Sequence, residues 1–188
     1  MNNKDIICRL RKELDFKRYE HTCGVAYTSA ALAMRWDADV DKAYISGLLH
    51  DCAKGMSDEK RLDICKKNDI YVSDVEKQNP SLLHAKVGAF LAKEVYEVDD
   101  EEILSAITYH TTGRAGMTLL EKIVFSADYL EPNRNHDPEL PLIRSLAFTD
   151  LDKAVLKIYE NTMKHLMSST KALDPTTEEA YKYYQVYA

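Results

Sequence analysis

The pattern of small and apolar residues that best indicates the fold lies in Ala43-Tyr44-Ile45-Ser46-Gly47-Leu48-Leu49-His50-Asp51. Residues spaced by three or four positions, from Ala43 through Ser46 to His50, share one face of a helix. A histidine therefore completes a stripe of small and apolar side chains that faces the core. The pattern predicts a helix that brings His50, and Asp51 directly after it, into the interior.

Four other segments complete an apolar helical stripe with a titratable side chain: His21, His84, His110 and Asp128. A single inward histidine is more often a satisfied core residue, because one hydrogen bond to either ring nitrogen is enough. A buried ionised carboxylate such as Asp128 costs several kcal/mol unless it is paired or binds a metal. Imidazole and carboxylate are the usual ligands of iron, manganese, zinc and cobalt, so convergence on a metal explains the whole set best.

Helical periodicity extends over most of the chain and is divided by capping signals such as Asn79-Pro80 and Asp174-Pro175. The predicted helices span about 2–14, 17–36, 39–53, 58–68, 80–96, 99–111, 117–131, 140–147, 149–168 and 175–186. Strand signals are nearly absent, since Ile70-Tyr71-Val72 is short and isolated. We predict an all-α fold, and we treat residues 1–188 as one domain because no linker is visible.

Composition limits the classes of partner. The 188 residues include 31 acidic and 25 basic side chains, a formal charge of −6, so we expect neither nucleic acid nor an anionic membrane as a partner. The first residues lack a signal-peptide pattern, and no window approaches the roughly 18 apolar residues of a membrane span. Four cysteines without a CxxC pair indicate reduced thiols. We therefore expect a cytoplasmic protein.

Two histidines do not fit the inward pattern. His136-Asp137 is a second His-Asp pair, but it lies in a loop-like composition between Pro132 and Pro138, so we place His136 at the surface or rim. His165 lies on a helix with no second ligand type nearby, and we interpret it as a partly exposed residue.

The order His21, His50-Asp51, His84, His110, Asp128 resembles the arrangement of the HD-domain superfamily of metal-dependent phosphohydrolases. Five longer stretches are similar to those of the YqeK family, bacterial symmetrical diadenosine tetraphosphatases that cut the central phosphate bridge to give two ADP. They are Arg18-Tyr19-Glu20-His21-Thr22, Leu48-Leu49-His50-Asp51-Cys52-Ala53-Lys54, Leu83-His84-Ala85, Tyr109-His110-Thr111-Thr112-Gly113-Arg114 and Ala127-Asp128-Tyr129-Leu130-Glu131-Pro132-Asn133-Arg134. The resemblance covers about residues 17 to 186.

This resemblance implies a helical bundle of the HD type with an iron centre, mononuclear or dinuclear, although other first-row divalent metals suit the same ligands. The implied metal ligands are His21, His50, Asp51 and Asp128. His84 and His110 either bind a second metal or contact the phosphates directly, and the sequence leaves both roles open. Cys52 adds a thiol beside the centre, which we take as a hypothetical oxidation-sensitive group.

Basic residues next to the ligand segments are candidates for phosphate binding. Lys54 follows Asp51 by three residues, so on a continuing helix it shares the ligand face. Arg114 follows His110 across a helix-ending turn, from which a guanidinium can hold a phosphate. The expected catalytic residues are Asp51, Lys54, His84 and His110. The expected substrate-binding residues are Arg18, Asp51, Lys54, His84, His110, Arg114, Arg134 and Asp174, the last from a C-terminal stretch that resembles one in the family.

The resulting hypothesis is an enzyme that hydrolyses diadenosine tetraphosphate symmetrically to two ADP. A metal-activated water attacks a phosphorus beside the central bridging oxygen, and nearby cations stabilise the charge that develops on the phosphoryl oxygens. Two alternatives stay open: an HD phosphohydrolase of guanosine polyphosphates, deoxynucleotides or cyclic nucleotides, and a non-catalytic metal and nucleotide sensor. The sequence does not fix the oligomeric state, and a homodimer is one option.

Overall fold

A computed structural model describes residues 1–135, 137–167 and 173–188. The described residues form α-helices and contain no strand, which confirms the predicted all-α class. The helices are α1 Asn3–Glu13, α2 Phe16–Arg35, α3 Val40–Leu49, α4 Asp58–Lys67, α5 Asp74–Gln78, α6 His84–Glu94, α7 Glu101–Tyr109, α8 Leu119–Leu130, α9 Leu140–Thr149, α10 Leu151–Met167 and α11 Pro175–Tyr184. His136, which we expected at the surface or rim, lies outside the described residues.

Most helices begin where a short polar side chain accepts a backbone N–H of the first turn, as capping requires. Asp15, Asp39 and Asp174 cap α2, α3 and α11 in this way. Thr118 and Glu121 form a reciprocal capping box at α8. Pro80, in contrast, begins a 3-10 turn over Pro80–Leu83, and the α-helix starts only at residue 84, so the helix predicted from residue 80 was wrong over its first turn.

The helix predicted over 39–53 was wrong at its end. α3 stops at Leu49, and the chain continues in tight turns in which the N–H of Cys52 and of Lys54 each bond the carbonyl three residues earlier, at 3.1 and 2.9 Å. The carbonyls of Ala53, Lys54 and Met56 accept hydrogen bonds from the buried Arg61 guanidinium. Lys54 therefore reaches the ligands from a turn and not from a shared helical face.

Five helices converge on the region of the predicted ligands. α2 packs against α3 and α8, α7 packs against α3, α6 and α8, and α3 also contacts α8. Leu32, Leu49, Ile107 and Ile123 are among the fully buried side chains between them. α9 and α10 pack against the outer side of α8, and α11 packs against α10. Among the described residues, no helix has the length and apolar character needed to span a membrane.

Candidate metal centre

Three of the predicted histidines lie at helix ends. His50 and His110 are the C-caps of α3 and α7, and His84 is the first residue of α6. In each, the ring Nδ1 lies against the carbonyl oxygen three residues earlier, at 2.7 Å for His50, 2.6 Å for His84 and 2.7 Å for His110. A backbone carbonyl can only accept a hydrogen bond, so Nδ1 carries the proton. The lone pair of each neutral ring is then on Nε2, which faces inward.

The first set of ligand atoms consists of His21 Nε2, His50 Nε2, Asp51 Oδ2 and Asp128 Oδ1. His21 Nε2 lies 3.0 Å from Asp128 Oδ1 and 3.3 Å from His50 Nε2. His50 Nε2 lies 3.7 Å from Asp51 Oδ2 and 3.9 Å from Asp128 Oδ1. Ligand atoms about 2.1 Å from one ion lie roughly 3 to 3.5 Å apart, so this set needs only a small contraction to hold a cation.

The second set consists of Asp51 Oδ1, His84 Nε2 and His110 Nε2. The two ring nitrogens lie 3.1 Å apart, and they lie 3.3 and 3.5 Å from the carboxylate oxygen. Asp51 Oδ1 is buried and has no hydrogen-bond partner among the described residues. A buried acceptor without a donor is costly, and here it faces two further lone pairs.

The donor set fits a divalent metal. Groups of three that include His21, His50 and Asp51, or Asp51, His84 and His110, have their ligand atoms within 4.8 Å of one another. Lone pairs that converge in this way repel one another unless a cation lies between them. Asp51 belongs to both sets through different oxygens, so it could bridge two ions.

Burial keeps the His50 and His84 imidazoles neutral, the form in which histidine binds metals. It lowers the pKa of both His50 and His84 to about 4. Burial alone would raise the pKa of Asp51 and Asp128, but the surrounding histidines outweigh it and hold both values below the usual range. Both carboxylates are therefore ionised at neutral pH.

His21 has a different environment from the other three. Burial would lower its pKa, but contacts with Asp128 and Glu131 raise it. Its Nδ1 donates to the Glu131 carboxylate over 3.2 Å, while Nε2 faces Asp128. His21 thus lies between two carboxylates.

Three of the predicted phosphate-binding cations reach the ligands. Lys54 Nζ lies 2.9 Å from His84 Nε2 and 3.8 Å from Asp51 Oδ1, and burial lowers the pKa of its ammonium. Arg18 donates to Asp51 Oδ2 at 2.5 Å, and Arg134 donates to Asp128 Oδ1 at 3.1 Å. Each cation lies beside a ligand carboxylate, so each is placed to contact an anion that approaches the centre.

A cavity of about 570 Å³ opens beside His21. Its walls come from the start of α2 and from the segment after α8, and both segments contribute polar and charged side chains. The lining residues are Asp15, Lys17, Arg18, Glu20, His21, Glu131, Asn133, Arg134 and Asn135. A volume of this size suits a small-molecule ligand.

Two predicted substrate-binding residues are engaged elsewhere. The Arg114 guanidinium donates from Nε and Nη2 to the buried Glu121 carboxylate, at 3.0 and 2.9 Å, and packs over the Tyr109 ring. The Asp174 side chain caps α11 by accepting the Thr176 N–H at 2.8 Å. Both sequence positions thus have a structural role in the protein without substrate.

Sequence analysis missed two polar residues at the centre. Thr111 Oγ1 lies 3.1 Å from His84 Nε2 and 3.0 Å from His110 Nε2. Glu131 contacts His21 and follows Asp128 by three residues, a helical spacing that could have indicated a shared face. For Thr111 the only signal was its position directly after His110.

Cys52 is not the reactive thiol that we considered. Its side chain is buried, donates weakly to the Gly88 carbonyl at 3.6 Å, and has its pKa raised to about 12 by burial. A thiol that stays protonated at neutral pH is a poor nucleophile and a poor target of oxidation.

Comparison with known proteins shows the family to which the chain belongs. Residues 18–133 match the HD domain family. A symmetrical bis(5'-nucleosyl)-tetraphosphatase of Bacillus subtilis is 41% identical over 97% of both chains. The enzyme of the same name from Staphylococcus aureus is 37% identical over 94% of this chain and 91% of its own.

A solved structure agrees with these relatives. It is a Clostridium acetobutylicum protein described as a "predicted HD superfamily hydrolase involved in NAD metabolism". It superimposes with a TM-score of 0.96 at 40% identity, covering 100% of this chain and 99% of that protein.

Proposed function

Because the chain belongs to the HD domain family, and within it to the symmetrical bis(5'-nucleosyl)-tetraphosphatases, we propose that it hydrolyses diadenosine tetraphosphate to two ADP. The protein is a hydrolase whose His and Asp cluster can hold a divalent metal. We propose the substrate, the products and the role of each residue on the basis of these relatives and of the geometry of the site.

The observation that carries the proposal is the position of Asp51 between the two ligand sets. Its Oδ2 faces His21 and His50, and its Oδ1 faces His84 and His110. We propose that two ions bind here and share this carboxylate. In this arrangement His84 and His110 are ligands of the second ion, one of the two roles that the sequence left open.

We propose iron as the metal, since the mixture of imidazole and carboxylate donors suits it, although it suits other first-row ions as well. Metal bound here would lower the pKa of a water toward neutrality and polarise a phosphoryl oxygen. Metal analysis of protein purified without added metal tests the identity of the metal.

The free cysteines favour function in the cytoplasm, where thiols stay reduced.

The side chains around the centre bind and orient the phosphate chain. Lys54, next to His84 and Asp51, neutralises charge on a phosphoryl oxygen at the second set. Arg18 and Arg134 bind the phosphates on the side of the cavity, where both line the wall. These cations are already placed where negative charge develops, which is the arrangement that stabilises a transition state most effectively.

Product identification tests the proposed function. Metal-loaded protein should convert diadenosine tetraphosphate to ADP only, and His50→Ala protein should not. His165→Ala, at an exposed histidine of α10, is the matched control and should stay active. AMP with ATP among the products would contradict symmetrical cleavage, whereas tight ADP binding without turnover would favour the sensor.

A further inference from the structure

Glu131 distinguishes His21 from the other ligand histidines. His50, His84 and His110 each donate Nδ1–H to a neutral backbone carbonyl, whereas His21 donates to the Glu131 carboxylate at 3.2 Å. Glu131, the residue directly after α8, is only 2% exposed although its side chain is polar. A buried carboxylate is retained at a cost, so it calls for a specific partner.

The Glu131 carboxylate is held from its other side as well. Its Oε2 accepts the Asn133 N–H at 2.7 Å. The Arg144 guanidinium donates to the carbonyls of Leu130, Glu131 and Arg134 at 2.9, 3.0 and 2.8 Å. These bonds fix the segment after α8, so the carboxylate has a defined position relative to the His21 ring.

Gly24 supplies an independent observation. It lies within α2, where glycine costs about 1 kcal/mol relative to alanine. A Cβ at this position would lie 2.5 Å from Glu131 Oε2, and its three nearest atoms would all belong to Glu131. Gly24 follows His21 by three residues on the same helical face, so the helix lacks a side chain at the point that the carboxylate occupies.

We propose that Glu131 is the positioning residue of the first metal ligand and that Gly24 provides the space it needs. The carboxylate fixes the His21 ring with Nε2 toward the centre and makes that nitrogen a stronger donor. Partners of this kind typically affect metal affinity by about 10- to 100-fold. This inference rests on the proposed metal centre and adds that its two sets are unequal, since among the described residues only the first has a carboxylate behind a histidine.

Titration of metal-free protein with Mn²⁺, followed by electron paramagnetic resonance of the free ion, tests the inference. Wild-type protein should bind two ions per chain in two binding steps. His84→Ala should weaken one of these steps, which identifies that step as binding at the second set. Glu131→Gln, which keeps the shape but removes the charge, should weaken the other step by about 10- to 100-fold and leave the His84 step unchanged.

Glycine variants make the test independent of Glu131 itself. Gly24→Ala should weaken the same step, and Gly55→Ala is the matched control because a Cβ there meets nothing within 4 Å. If Gly24→Ala fails to fold, the double variant Gly24→Ala with Glu131→Ala removes the clash and should fold, with the first set weakened and the His84 step unchanged. Two unchanged steps in Glu131→Gln, or equal weakening of both, would overturn the inference. A wild-type protein that binds no ion would instead overturn the proposed metal centre.

Discussion

Asp51 is the residue on which both ligand sets depend. Its side chain is 4% exposed, and its two oxygens face different pairs of histidines. Asp128 also lies near both sets, because its carboxylate and the ligand nitrogens of His50 and His110 are within 4.8 Å of one another. The carboxylate of Asp51 brings negative charge to both sets, which the neutral imidazoles of His50 and His84 do not supply.

Asp51→Asn should therefore abolish binding of both ions while it keeps the shape of the side chain. We expect a loss of metal affinity and of kcat larger than the roughly 10- to 100-fold effect of changes outside the ligand shell. Elemental analysis and steady-state kinetics measure the two effects. Retention of two ions per chain would show that the carboxylate is not a bridge.

Lys54 is the cation expected to act in catalysis without binding metal. Lys54→Met should lower kcat by about 100- to 1000-fold, the effect of losing one preorganised charge in a transition state. Its metal content should stay at the wild-type level. Lys60→Met, at an exposed position of α4, is the control; a kcat for Lys54→Met as high as that of the control would contradict the assigned role.

At the scale of the helices, three of the ligands share one local device. His50, His84 and His110 each bond a carbonyl near a helix end through Nδ1 and thereby direct Nε2 to the centre. The backbone carbonyl fixes the orientation of the imidazole ring, and the ring N–H provides the carbonyl with a hydrogen-bond donor. The C-terminal ends of α3 and α7, and the 3-10 turn before α6, are therefore stabilised by the same side chains that form the site.

This device also determines how stability depends on pH in the metal-free protein. In the unfolded chain His50 and His84 bind protons below about pH 6.5, whereas in the folded protein they do so only near pH 4. The unfolded state binds more protons in that window, so the free energy of unfolding should fall as the pH is lowered from 6.5 to 4.

Chemical denaturation of metal-free protein at several pH values measures this dependence. His21, whose pKa is raised, acts in the opposite direction, so the comparison with His84→Gln isolates one contribution. His84→Gln should show a shallower decline below pH 6.5. An identical slope would mean that burial of His84 does not shift its pKa.

The turn after α7 provides a second test at this scale. Gly113 and Gly116 both have positive φ angles, of 60° and 64°, so alanine is strained at either position. Only at Gly113 is there also a steric conflict, because a Cβ would lie 1.8 Å from the Tyr159 hydroxyl; the nearest atom at Gly116 is 3.8 Å away.

Gly113→Ala should therefore destabilise the protein more than Gly116→Ala, by about 1 to 3 kcal/mol, the usual cost of overpacking a filled site. Urea denaturation of both variants measures the difference. Equal losses would indicate that Tyr159 moves aside without cost.

The helical period was sufficient to predict which side chains point inward, but not where the helices end. Ala43, Ser46 and His50 follow one stripe, so the direction of His50 could be read from spacing. The end of α3 at Leu49 could not, because the spacing of apolar residues does not distinguish a further helical turn from the tight turns that follow. The bonds from Arg61 to the carbonyls of Ala53 and Lys54 hold those turns and are tertiary interactions.

For the whole molecule, a formal charge of −6 coexists with a site for polyanions. The cations near the centre are local: Arg18 and Lys54 lie beside the buried Asp51 carboxylate, and Arg134 lies beside the half-buried Asp128 carboxylate. Basic residues next to the ligands in sequence were good candidates for phosphate binding because the chain as a whole is acidic. Arg114 was one of these candidates, but it pairs with Glu121. Which cation faces the centre depends on helix packing, and one-dimensional spacing does not contain that information.

Hydrolysis of diadenosine tetraphosphate by metal-loaded protein in oxygen-18 water, with mass spectrometry of the products, tests the proposed reaction and its centre together. We expect ADP as the only nucleotide product, with one labelled oxygen on the terminal phosphate of half of the molecules, and no reaction in Asp51→Asn protein. Formation of AMP and ATP, or undiminished ADP formation by Asp51→Asn, would contradict symmetrical cleavage at a centre bridged by Asp51.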